Sequence, residues 1–349
     1  MSPQQLGALA GAVQHNCHVC DARHGADYSL CIYLMKMREY YRWEQGLPFG
    51  STLGREAVGD WLQAREQLWE ALEEADVEPI SIDGRFYDPY DAEAINQALA
   101  GHGLVYSGGL GRGARPHFFL GNLERRIQAD GHTVYVAATE HARDLISPPA
   151  MTLGDTIFLR REALLRLLWE KLEGWRWSRP DNALGRAFAC YDFDADLEGS
   201  LEAMTDREIA NTLLHERGEH RAGGLLGDAD WNAMLLDLVA TPAEPMARAV
   251  RDHLADCLVT LPQLAEAGEA AALHFYVGNL TPLRRDIFPS LARAYETWRH
   301  TGDTGELAAV AGAGRSHWRR LAEGMLALHR ARRTEAVADI RELIEGHRL

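Results

Sequence analysis

From residue 161 to its end, this chain is an almost unbroken succession of helical segments, and no other feature narrows its possible folds as much. Helical patterns run over 161–173, 206–220, 231–239, 245–258, 264–277, 282–300, 317–329 and 334–347. Their apolar residues recur at the spacing of helices that bury one face. Such helices hide their apolar faces against one another, so this half of the chain reads as a helical domain.

The first half reads differently. Residues 2–14 suit a short helix, which Cys17 to Gly25 should interrupt. A second helix follows over 28–43, where Leu30, Leu34, Met37 and Tyr41 recur at four- and three-residue spacing. A third spans about 52–74, with Trp61, Leu62, Leu68 and Leu72 inward. Short β-branched or aromatic runs then appear at 79–82, 104–106, 117–120, 133–136 and 156–159. Turn residues separate them, and Asp130-Gly131 is a hairpin signal. The expectation is a mainly α protein: a helical C-terminal domain and a small antiparallel α+β portion in the N-terminal half.

A chain of 349 residues exceeds most single cores. Ser147-Pro148-Pro149 is the natural break, giving domains 1–149 and 150–349. No apolar window reaches the length of a membrane span, so no membrane is expected. The formal charge of −15 argues against nucleic acid, whose phosphates call for clustered Lys and Arg. Five scattered cysteines do not form a disulfide framework, and no leader-like start is visible. A cytoplasmic protein is the expectation.

Gly108-Gly109-Leu110-Gly111-Arg112-Gly113-Ala114 imitates a dinucleotide fingerprint. That motif needs a helix N-terminus directly after its glycines. Here Arg115-Pro116 leads into a strand-like run, so no nucleotide cofactor is expected. The loop is read as a hairpin connection, with an anion-binding role for Arg112 and Arg115 as the alternative.

The densest chemistry lies in His215-Glu216-Arg217-Gly218-Glu219-His220. On a helix, Glu208, Thr212, His215 and Glu219 share one stripe, and Ile209, Ala210, Leu213 and Leu214 face the other way. Two readings stand. Either the stripe is a solvated face, or another layer of protein covers it and makes a site. In the second case His215 and Glu219 are metal ligands, with Glu216 the catalytic proton carrier. The spacing matches neither His-Glu-x-x-His nor its inverse. His274, isolated among apolar neighbours, is the candidate third ligand from a second helix. Asp252 and Asp256, one turn apart beside His253, offer further ligands. Bundle cores build metal sites from such pairs, and iron, manganese or zinc would suit them.

Cys17, Cys20, His24 and Cys31 form an alternative metal cluster. Cys17 and Cys20 have the gap of half a zinc knuckle, but no second half follows. Buried thiols at a helix corner are the simpler reading.

Residues 17–44, with Asp21-Ala-Arg-His-Gly25 and Lys36-Met-Arg-Glu-Tyr-Tyr-Arg-Trp-Glu44, and the run 130–177, resemble an uncharacterised bacterial protein family of unknown function. The resemblance implies a bacterial cytoplasmic protein and assigns no residue a role. Two functions follow from the residues: a metal-dependent oxidoreductase or hydrolase with its site between helices, or a non-enzymatic binding or assembly protein. The partner is a small molecule or a protein, and nothing in the sequence fixes the oligomeric state.

Overall fold

The computed structural model describes residues 1–111, 115–129 and 131–349. Arg112 of the glycine-rich loop and Asp130 of the expected turn lie outside them. The chain divides into two compact units. The first comprises Met1–Lys171 with Asp196–Thr205, the second Leu172–Ala195 with Asp206–Leu349.

The first unit opens with α1 (Pro3–His24), α2 (Leu30–Glu44) and α3 (Arg55–Leu72). A two-stranded ribbon follows, β1 (Ile80–Ile82) and β2 (Arg85–Tyr87), then the short α4 (Ala92–Ala98). The main sheet is built from β3 (Leu104–Leu110), β4 (Pro116–Ala129), β5 (His132–Arg143), β6 (Ala150–Leu153) and β7 (Thr156–Arg160). Its order is β3-β4-β5-β7-β6. All pairs are antiparallel except β5 with β7, which run parallel with Thr133 opposite Thr156. That pairing ties β6 and β7 to the first unit, so the division falls later than the Pro148-Pro149 pair. α5 (Arg161–Ser178) carries the chain onward.

Residues 17–25 do not break α1. Its capping box, Ser2 with Gln5, starts a helix that continues to His24. The reason lies in its surroundings: Asn16 through Asp21 are all buried. Asn16 bonds the Glu78 backbone in both directions, at 2.8 and 2.7 Å. In the stretch 36–44, Met37, Glu39, Tyr40 and Arg42 are likewise buried. Tyr40 is fully buried, Arg42 pairs with Glu39 at 3.1 Å, and Glu44 accepts from Arg65 at 2.6 Å. The Arg65 guanidinium lies over both Tyr40 and Trp61.

The glycine-rich run also has a packing role, so two of its glycines are not loop residues. Gly108 and Gly109 are buried inside β3. A Cβ on Gly108 would stand 2.1 Å from the Pro89 carbonyl oxygen, and one on Gly109 2.7 Å from Leu153. Ser107 meets Met151 across the same gap, at 3.0 Å. Edge strands β3 and β6 thus approach each other, and the sheet curls.

The second unit is helical throughout. α6 (Ala183–Phe188), α7 (Leu197–Leu226, whose residues up to Thr205 belong to the first unit), α8 (Asp228–Asp237), α9 (Ala243–Ala255) and α10 (Leu261–Ala267) come first. Then follow α11 (Ala270–Asn279), α12 (Pro282–Ile287), α13 (Pro289–Thr301), α14 (Gly305–Arg332) and α15 (Val337–Glu345). α14 packs against α9, α10, α13 and α15. Trp231, Leu254, Trp318, Met325 and Ile340 fill the core between them. Among the described residues, no helix is long and apolar enough to cross a membrane.

Candidate functional site

The second half of α7 carries His215, Glu216, Gly218 and Glu219. Helical geometry sets His215 and Glu219 one turn apart on one face. Protein covers that face: Glu208, one end of the stripe, is only 4% exposed. Gly218 accounts for the close approach. A Cβ there would stand 2.4 Å from the carbonyl oxygen of Ala255, the last residue of α9. With glycine at 218, the two helices meet backbone to backbone.

The partner of His215 comes from just beyond Ala255. α9 and α10 are joined by a π turn, Asp256–Thr260, in which the Leu261 N–H reaches the Asp256 carbonyl. Pro262 follows immediately, and its ring cannot tolerate the carbonyl four residues back in a regular helix. A widened turn resolves that clash, and such turns recur at functional sites.

The Asp256 side chain is 1% exposed and accepts three donors. His215 Nδ1–H donates to its Oδ1 at 2.9 Å, and the Tyr276 hydroxyl of α11 to Oδ2 at 2.8 Å. The Arg284 guanidinium of α12 is the third donor. Arg284 also fixes His253: His253 Nε2–H donates to the Arg284 carbonyl at 2.9 Å, and Nδ1 faces the guanidinium at 3.4 Å. Burial, then the Arg284 charge, pull the His253 pKa down to about 3. A neutral imidazole fits both bonds.

His215 is the opposite case. Burial pulls its pKa down, but the Asp256 carboxylate outweighs that, and Glu219 and Glu216 add to it, taking the pKa up to about 10. Asp256 in turn is held well below the usual carboxylate range. Burial opposes this, and Arg284 and His215 overcome it. At neutral pH the pair is an imidazolium bound to a carboxylate. About a third of the His215 side chain remains open (34%), and among the described residues Nε2 has no hydrogen-bond partner. Glu219 Oε2 forms an ion pair with Arg251 Nε at 2.9 Å, while its buried Oε1 has no hydrogen-bond partner among the described residues. Burial, Asp252 and Glu216 push the Glu219 pKa up to about 7, against the pull of His215 and Arg251.

Of the residues singled out from sequence, His215 and Glu219 thus sit in one network, with half-buried Glu216 acting on both through its charge. His274 belongs elsewhere. Its Nδ1 bonds the Tyr295 hydroxyl at 2.8 Å, and its ring packs on Trp298. Among the described residues, no three ligand atoms from His215, Glu216, Glu219 and His274 lie within 4.8 Å of one another.

The same holds for Cys17, Cys20, His24 and Cys31. Cys17 is buried and donates to the Phe118 carbonyl at 3.2 Å, Cys20 is buried, Cys31 is exposed, and His24 faces Asp27 at 3.4 Å. Sequence reasoning placed Asp256 among possible ligands but missed Tyr276 and Arg284. Pro262, six residues after Asp256, was the available signal for an irregular helix there.

Comparison with known families gives two matches. The N-terminal domain of a Family of unknown function (DUF6866) matches residues 8–160, and the C-terminal domain of the same family matches residues 165–347. No curated protein and no solved structure matches the chain.

Proposed function

Because the chain belongs to this two-domain family of unknown function, which lends it no activity, we propose from geometry alone that its helical unit is an acid–base enzyme of the hydrolase class. The observation that carries the reading is the bond between buried Asp256 and His215 Nδ1, which leaves Nε2–H as the remaining donor of a partly open imidazolium. Asp256 is the positioning residue. His215 is the general acid, protonating a leaving group through Nε2. Glu219, one turn along, is the general base and takes a proton from water. Environments that push two titrating groups apart are the usual basis for such a division of roles. Between about pH 7 and pH 10 the imidazolium keeps its proton while the Glu219 carboxylate has lost its own.

A metal-dependent version, with iron, manganese or zinc on His215 and Glu219, is less well supported. A carboxylate behind an imidazole is also common at metal sites, but such sites bring three or more ligands together. A cation on Nε2 would also have to displace the proton there, which the Asp256 charge favours by raising the His215 pKa.

The test needs no substrate at first. Nitrogen-15 NMR of the full chain should show His215 protonated at both ring nitrogens up to about pH 9. A ring that deprotonates near 6.5 would remove the acid from this scheme. A panel of chromogenic esters, amides and phosphate esters should then give turnover that His215→Gln and Glu219→Gln each lower by about 10²- to 10⁴-fold.

A further inference from the structure

The curled sheet of the first unit encloses a cavity of about 960 Å³ that none of the chemistry above uses. That volume is in the range of small-molecule sites. Its aromatic wall is Tyr135 of β5 stacked on Phe158 of β7, with centroids 5.6 Å apart and planes 14° apart. Gly108 and Gly109 also line it, packed so closely that neither position has room for a side chain. Among the described residues, three carboxylates line it, those of Asp91, Glu93 and Asp155, against one cation, Arg126. The exposed Arg126 reaches over the Tyr135 ring, with its guanidinium carbon 5.5 Å from the centroid.

An aromatic face with an acidic surround is the chemistry of cation recognition. Here the chain's own guanidinium already occupies the ring. We infer that this cavity binds a ligand bearing a planar alkylguanidinium group, which takes the place of Arg126 on Tyr135 while the carboxylates balance its charge. Arg126 then acts as an internal competitor that swings into water when the ligand enters. The shared chemistry has two sources, a free arginine-like small molecule or an arginine side chain in a peptide, and the two bind by the same contacts.

The test is calorimetric titration of the full-length protein with argininamide, with a short arginine-containing peptide, and with citrulline amide as the uncharged isostere. Argininamide should bind saturably at one site per chain, and citrulline amide should not. Comparable binding of the peptide identifies a peptide source, and its failure a free small molecule; both outcomes support the cavity. Tyr135→Leu should weaken argininamide about five-fold, the scale of one cation–π contact. Exposed Asp155→Asn should also weaken it without loss of fold. Arg126→Gln should tighten it, because the competitor is gone. Equal binding of citrulline amide, weaker binding by Arg126→Gln, or no saturable binding of argininamide would each overturn the inference. If glutamate bound instead, and Arg126→Gln abolished that binding, the cavity would be an anion site and the inference wrong.

Discussion

His215 and Asp256 are 41 residues apart in the chain and 2.9 Å apart in space. Two backbone features bring them together: Gly218, which lets α7 touch the end of α9, and the π turn that begins at Asp256. Neither residue holds its charge state alone. Asp256 raises the His215 pKa, and His215 with Arg284 lowers that of Asp256.

Replacing Asp256 with Asn keeps the shape and removes the charge. Two cationic side chains then lose their counter-charge inside the protein, a change that generally costs about 3–5 kcal/mol. The expected results are a clear drop in melting temperature and a His215 that deprotonates nearer its ordinary pKa of 6.5. A variant as stable as the parent would mean that the network contributes little to the fold.

Gly218→Ala tests the helix contact without touching an ionisable group. The added methyl meets a backbone carbonyl at 2.4 Å, so the helices must separate. Stability should fall by more than the slight gain that alanine brings to an ordinary helix position. The His215–Asp256 bond should lengthen, and the pKa of His215 should fall with it. Gly224→Ala, on the same helix with open space around it, should be neutral or stabilising.

Much of the fold was legible because periodicity reports burial directly. Most helices of the second unit and five of the strands fall where the apolar spacing put them, but α6 was not expected, the helices expected over 264–277 and 282–300 are each split in two, and α14 starts at Gly305, well before 317. What sequence could not give was the end of α1, because a helix buried on several sides has no clear amphipathic stripe. Asn16, His18 and Asp21 look like surface residues and are not, since each finds an interior partner. In the same way His215 and Glu219 were visible as a pair. Asp256 was visible as a possible ligand, but its pairing with His215, the pairing of Glu219 with Arg251, and the Tyr276 and Arg284 donors behind Asp256 were not, because pairing across helices depends on crossing geometry that sequence spacing does not encode. His274 shows the converse: an imidazole isolated in sequence, held in place by Tyr295.

Stability should fall as pH rises from about 5 to 9. His215 has a folded pKa of about 10 against an ordinary 6.5, so its contribution is complete below 6.5 and is lost as pH climbs through 10. Burial raises the Glu208 pKa from 4.5 to about 8, so its stabilising share is complete below 4.5 and is lost as pH climbs through 8. Asp256 acts at the other end: its depressed pKa makes its contribution present above 3.8 and lost in stronger acid. Glu208→Gln should therefore flatten the curve between pH 5 and 8, by about 1.4 kcal/mol for each pH unit removed from the slope. Urea denaturation across that range measures it, and an unchanged slope would exclude a buried, neutral Glu208.

Thiol reactivity decides whether the first unit carries a cysteine metal site. Cys17, Cys20 and Cys257 are buried, whereas Cys31 and Cys190 are exposed. Burial also raises the pKa of Cys17 well above its usual value and that of Cys20 to about 12, so neither forms the reactive thiolate at neutral pH. A zinc site would require the reverse, since the metal binds the thiolate. In the folded protein, Ellman's reagent should label Cys31 and Cys190 quickly and the other three only after unfolding. Chelator treatment should leave this pattern unchanged, because the Cys17 sulfur is engaged with the Phe118 carbonyl. If EDTA exposed Cys17 and Cys20 to rapid labelling, the two thiols would be metal ligands, and their burial against the sheet would need another explanation.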